Sequence, residues 1–139
     1  VHKIIISVLV LSALRCSPTL HPLYLDYQHN EHVIIPRDQI ELALQEAGWT
    51  VTVSPSDNSV TTANREIRNW LFYKVVVYVE TIPISQRHVR LLVHPYRVYI
   101  TGSRSKIPFL KSGIRRSVTK EITQVFQSYG LTAVDPDWQ

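Results

Sequence analysis

Tyr73 to Thr101 reads YKVVVYVETIPISQRHVRLLVHPYRVYIT, and the way these residues pair decides the fold. The first eight, YKVVVYVE, are β-branched and aromatic with no breaker, the composition of a strand. Thr81 to Gln86 contains a proline and polar residues and reads as a turn. His88 to His94 then alternates Val89, Leu91 and Val93 against His88, Arg90, Leu92 and His94, a period of two. Pro95 removes a ladder donor, which predicts a bent or edge strand. Tyr96 to Thr101 resumes the alternation, with Val98 and Ile100 expected to join the inward row and Arg97 and Tyr99 the outward one.

Upstream, Trp49 to Val53 (WTVTV) alternates as a strand, Ser54 to Ser59 (SPSDNS) turns the chain, and Val60 to Ala63 forms a second short strand. Asn64 to Trp70 (NREIRNW) is open between a helical turn and a bulge. Before these, Pro36 at a first-turn position, Asp38 near a helix N-terminus, and Ile40, Ala43, Leu44 and Ala47 on one face predict a helix that stops at Gly48. Downstream, Gly102 to Lys106 (GSRSK) reads as a loop. Ile107, Leu110, Ile114, Val118, Ile122, Val125, Phe126 and Tyr129 recur every three or four residues as one long helix stopped by Gly130. The order helix, about four consecutive strands, helix predicts an α+β fold of two layers: an antiparallel sheet of about four strands with two helices packed on one face.

The predicted domain occupies residues 36–131, followed by a C-terminal tail, 132–139. Residues 17–35 carry two prolines and no helical period and read as a tether leading into the domain. Residues 1–16 have the layout of a secretory signal or lipoprotein leader: His2 and Lys3, then Ile4 to Leu14 broken only by Ser7 and Ser12, then Arg15 and Cys16. That run falls short of the roughly 20 residues needed to span a bilayer core. Val1, in a chain with no Met, fits an alternative start codon read literally. Cys16, the only cysteine, stands where bacterial lipoproteins carry their lipid, although Arg15 departs from the small residue such signals place there.

With 139 residues, 45% of them apolar and 19% charged, the chain holds one packed domain rather than a disordered or collagenous one. One cysteine excludes an internal disulfide and a thiolate zinc site. A net charge of +4 favours an anionic neighbour: phospholipid, nucleic acid or an acidic protein. The nearest histidine pair, His29 and His32, has no third ligand beside it, so no metal is expected. No GxSxG turn, spaced carboxylate pair or glycine-rich phosphate loop is present, so neither catalysis, a cofactor nor a small-molecule substrate is expected. Two surfaces remain. Arg104, Lys106, Lys111, Arg115, Arg116 and Lys120 cluster around the start and outer face of the last helix as a candidate contact for an anionic surface. Tyr78, Arg90, Arg97 and Tyr99 mark the outward sheet face as a candidate partner-binding surface.

An apolar leader ending at Cys16, a tether, then Ile40 to Thr62 (IELALQEAGWTVTVSPSDNSVTT), YKVVVYVE and a long last helix together resemble small bacterial envelope lipoproteins. The pattern is similar to the helix-grip domain of the lipoprotein component of the outer-membrane β-barrel assembly machinery, over about residues 36 to 131. The resemblance implies a non-catalytic binding or scaffolding module in a membrane-associated assembly. Such a module would be lipid-anchored or periplasmic in the cell envelope, with a protein partner and the membrane surface beside it. No functional residue of that group carries across. The alternative is a double-stranded RNA-binding domain, also helix, antiparallel strands, helix, in which Lys111, Arg115 and Arg116 would contact phosphates. The run of lysines that family uses is missing here.

Overall fold

Two long strands form the spine of the molecule: Tyr73–Pro83 and His88–Tyr99 pair antiparallel from Tyr73 opposite Tyr99 to Pro83 opposite Val89. The computed structural model describes residues 20–31, 34–54, 56 and 58–134. In chain order its elements are β1 (Leu20–His21), β2 (Tyr24–His29), α1 (Arg37–Glu46), β3 (Val51–Thr52), β4 (Val60–Thr62), β5 (Arg65–Asn69), β6 (Tyr73–Pro83), β7 (His88–Tyr99), β8 (Arg104–Lys106), β9 (Leu110–Lys111), α2 (Ser112–Ser128) and β10 (Leu131–Ala133). One sheet runs β10-β2-β7-β6-β4-β3, with β5 also on β6 and β8 also on β7, while β1 and β9 pair separately. The spine therefore has different neighbours at its two ends. β4 and β2 flank the end near Pro83 and His88, and β5 and β8 flank the far end near Tyr73 and Tyr99.

Strand alternation sends Val75, Val77 and Val79 of β6 and Val89, Leu91 and Val93 of β7 to one face. There they share a buried cluster with Leu25 and Tyr27 of β2, with Ile40, Ala43 and Leu44 of α1, and with Val118, Ile122 and Phe126 of α2. Both helices thus feed one core on the odd-numbered face, and among the described residues the even-numbered face of the spine is half-exposed, with Val76 the buried residue on its β6 row. Tyr27 meets Phe126 edge-on at 4.9 Å and shares a hydrogen bond with the Thr123 hydroxyl at 2.8 Å. Its burial pushes the phenol up to about 12. Gly48 and Gly130 take φ of +88° and +82° just past the two helices, where a side chain would be strained.

The expected two-layer fold with about four strands is incorrect. Strand makes up 44% of the described residues, eight strands share one sheet and two form another, so the protein is mostly β with two helices. The extra strands come from segments read as tether, loop or tail. β2 lies inside 17–35 yet sits between β10 and β7, with Leu25 and Tyr27 buried. β10 falls at the start of the expected tail, 132–139, so the folded unit extends beyond 36–131 on both sides. The ambiguous Asn64 to Trp70 forms β5, and the expected loop Gly102 to Lys106 contains β8. β5 and β8 are outer strands with almost no apolar residues, so they lack the alternation that a half-buried strand displays, while β10, Leu131–Ala133, is too short to show a period although Leu131 is buried. The last helix starts at Ser112 rather than Ile107, because Pro108 disfavours helical geometry in the residue before it. Ile107 and Leu110 are buried all the same, from the connection and from β9.

Candidate functional site

The candidate sheet face splits in two. β7 holds one continuous register against β6 through Pro95, so no residue changes side there. The reason is where Pro95 stands. Val93 N donates to Leu23 O, and Ile107 N donates to Pro95 O, so at these alternate residues the backbone points away from β6. β2 pairs with β7 only as far as Leu92, and β8 begins opposite Tyr96. Pro95 falls in the gap between them, where its missing N–H removes no ladder bond. Arg97 and Tyr99 therefore keep the parity of Val93, on the face opposite Tyr78 and Arg90. The expected reversal of sides at the proline does not occur.

Arg90 is already engaged. Its Nε and Nη2 donate to the two carboxylate oxygens of Asp26 at 2.7 and 3.0 Å, and its guanidinium lies 4.5 Å over the Tyr24 ring. The Arg90 hydrogen bond, with Arg90 and His88 charge behind it, holds the Asp26 carboxyl below its ordinary value.

The candidate basic cluster also divides. Arg115 is only 5% exposed and donates to His21 Nδ1 at 2.7 Å, so it ties β1 to α2 rather than facing a partner. Lys111, Arg116 and Lys120 are exposed at the start and along the outside of α2. Arg104 and Lys106 belong to β8, opposite Val98 and Tyr96, on the half-exposed face of the sheet. Burial of Arg115 removes the middle phosphate contact of the duplex-RNA arrangement. His29 Nδ1 accepts from the Glu31 N–H at 3.0 Å, and no group of three metal-ligating side chains occurs among the described residues. Cys16, the leader and His32 lie outside the described residues.

Two features assembled by the fold remain. The first is a groove of about 540 Å³ on the half-exposed face, with Tyr78 and Tyr96 between Thr61 to Asn64 and the β8 side chains Arg104 and Lys106. Its rings form a row: His94 stacks on Tyr78 at 4.4 Å, Tyr78 on Tyr96 at 6.2 Å, and the Arg104 guanidinium lies 4.9 Å over Tyr96. Burial, then the neighbouring Tyr96, pushes the Tyr78 phenol above its ordinary value. At the end of the row His94 and Glu80 form a pair at 3.3 Å.

The second feature is the far end of the spine, where two turns meet. Trp70 N donates to Tyr73 O across one, Tyr99 N donates to Ser103 O across the other, and Ile100 N donates to Phe72 O between them. Leu71, Phe72 and Ile100 are 80%, 69% and 76% exposed on these turns. Trp70, Tyr73 and Tyr99 stand behind them in edge and tilted contacts of 5.0 and 5.8 Å. Arg97 lies 5.7 Å over Tyr73 on one face, and Lys74 and Arg104 flank Val98 on the other.

Sequence reasoning missed Trp70, Leu71, Phe72 and Ile100 as an exposed group. WLFY fits neither a helix nor an alternating strand, which was the available signal. A second signal was charge: no Asp or Glu occurs between Glu80 and Glu121. Comparison with protein-family profiles, curated proteins and solved structures finds no match to this chain.

Proposed function

We propose that this protein is a non-catalytic binding module that works against an anionic membrane surface, with the paired turns at the far end of the spine as its lipid-facing end. One observation carries this: three large apolar side chains, Leu71, Phe72 and Ile100, are exposed together on two hydrogen-bonded turns, with cations close behind on both faces. A contiguous exposed apolar group marks an interaction site. Each such side chain contributes about 1.5–3 kcal/mol when fully removed from water. Trp70, Tyr73 and Tyr99 sit one level back, where amphipathic rings favour the water–lipid boundary. Arg97 and Arg104 would then lie near headgroups, each worth about 1 kcal/mol against an anionic leaflet, while Lys74 is paired with Glu66 at 3.7 Å. The reading agrees with an envelope lipoprotein acting in a membrane-associated assembly, in which a lipid on Cys16 would supply one attachment and the turns a second.

The test is vesicle flotation of the full chain carrying Cys16→Ser, so that no acyl anchor contributes. Phosphatidylcholine vesicles with and without phosphatidylglycerol are compared. Binding to the anionic vesicles, lost in Leu71→Ser/Phe72→Ser/Ile100→Ser, is the expected result. Equal binding by that variant, or no binding by the parent, overturns the proposal.

A further inference from the structure

We propose that the groove on the half-exposed face is a binding site for a phosphate monoester. For the source of that ligand, an acidic lipid headgroup, the proposal rests on the membrane-facing end described above. Arg104 and Lys106 are two residues apart on β8, so both side chains project to the same face. Among the described residues neither has a carboxylate partner. The Arg104 guanidinium lies 4.9 Å over the Tyr96 ring, a contact with a ring face that uses none of its N–H donors, while Lys106 adds a point charge beside it. Two unneutralised cations match the two charges of a monoester, where a diester or carboxylate supplies one. Asn64 on the opposite wall and the Tyr78 phenol on the floor can hydrogen-bond the polyol that carries the phosphate. The Glu80–His94 pair closes the other end of the ring row, and its carboxylate directs an anion towards β8.

Position relative to the turns fits a headgroup. Strands rise about 3.4 Å per residue, so Arg104 opposite Val98 lies ~7 Å behind Ile100 and Lys106 opposite Tyr96 lies ~14 Å behind it. An apolar element sinks roughly 5–10 Å into the interface, which leaves these cations level with the phosphates. Single-stranded nucleic acid is disfavoured because its bases need free ring faces, and here the rings stack on one another.

Amide NMR of the full chain, titrated with glycerol 3-phosphate, tests the site without any bilayer, so its failure is distinct from failure of flotation. Saturable shifts centred on Asn64, Tyr96, Arg104 and Lys106 are expected. Affinity should fall about tenfold or more in Arg104→Gln/Lys106→Gln, whose positions are exposed, and by a similar factor when dimethyl phosphate replaces the monoester. Shifts elsewhere only, equal affinity for the diester, or tighter binding of a single-stranded oligonucleotide overturns the site. Vesicles then identify the source. Preference for phosphatidic acid over phosphatidylglycerol at matched charge, lost in the double variant, supports a lipid headgroup. Monoester binding without that preference overturns the lipid source and assigns the groove to a soluble phosphorylated polyol.

Discussion

The two ends of the β6–β7 spine belong to the same pair of strands, in one unbroken register, and have opposite fates. Val75, Val77 and Val79 of β6 and Val89, Leu91 and Val93 of β7 share the buried core with α1 and α2. At the far end the same parity leaves Tyr73 and Arg97 half-buried and Tyr99 exposed, with Leu71, Phe72 and Ile100 exposed beyond them. The local sequences are equally apolar. Burial is decided by the reach of the helices: α2 stops the core near β5, and nothing among the described residues covers the turns. Strand composition alone does not separate a core strand from an exposed one, because both present the same residues and differ only in what lies above them.

The largest effect should come from the covered part. Leu91→Ala and Ile122→Ala each truncate a fully buried side chain and should destabilise by about 2–5 kcal/mol in urea unfolding. A change below about 0.5 kcal/mol in either would remove the contrast between the ends.

Next is Gly130→Ala, beside β2. It places a Cβ in the left-handed region at a cost of roughly 1–2 kcal/mol, and that Cβ would lie 2.8 Å from His29 Nε2. Combining it with His29→Ala should recover the steric part and leave the backbone part, measured in the same unfolding experiment.

Asp26 gives a pH-dependent effect at the covered end. Its folded value lies below the unfolded one, about 3.9, so its contribution is fully present above that pH and is lost as pH falls through the folded value. Urea midpoints from neutral to acid pH should fall less steeply in Asp26→Asn than in the parent. Equal slopes would show that the Arg90 pair adds nothing to folding.

The smallest effect on stability belongs to the far end. Leu71→Ser and Phe72→Ser should each change unfolding by within about 0.5 kcal/mol, as surface positions do, while removing vesicle binding. Marked destabilisation by either would mean that the turns are packed core after all.

The spine hairpin, both helices and their glycine stops were legible because each shows a period or a breaker over enough residues to stand out. β2 was obscured by prolines on either side of it, although Leu25 and Tyr27 alternate with Asp26 and Gln28 as a strand should. β5 and β8 could not be seen, since REIRN and RSK have almost no apolar row and are held by backbone pairing to a neighbour that sequence does not name. Of the candidate site, Tyr78, Arg104 and Lys106 come together in the groove, although in sequence Tyr78 belongs to the sheet-face candidate and the two cations to the basic cluster. Arg97 and Tyr99 lie on the face opposite to the expected one, because the alternation runs through Pro95 without a reset.

Sequence by itself determined the local elements with strong periods, the excess of positive charge and the single cysteine, for these follow from residues near one another in the chain. Only the tertiary structure decided the rest. Whether Pro95 shifts the register depends on the gap between β2 and β8. Whether Arg115 faces solvent depends on His21, 94 residues away. Whether Leu71, Phe72 and Ile100 are core or surface depends on where two helices end. Each is settled by which distant segment occupies the neighbouring space, and a one-dimensional pattern carries no record of that.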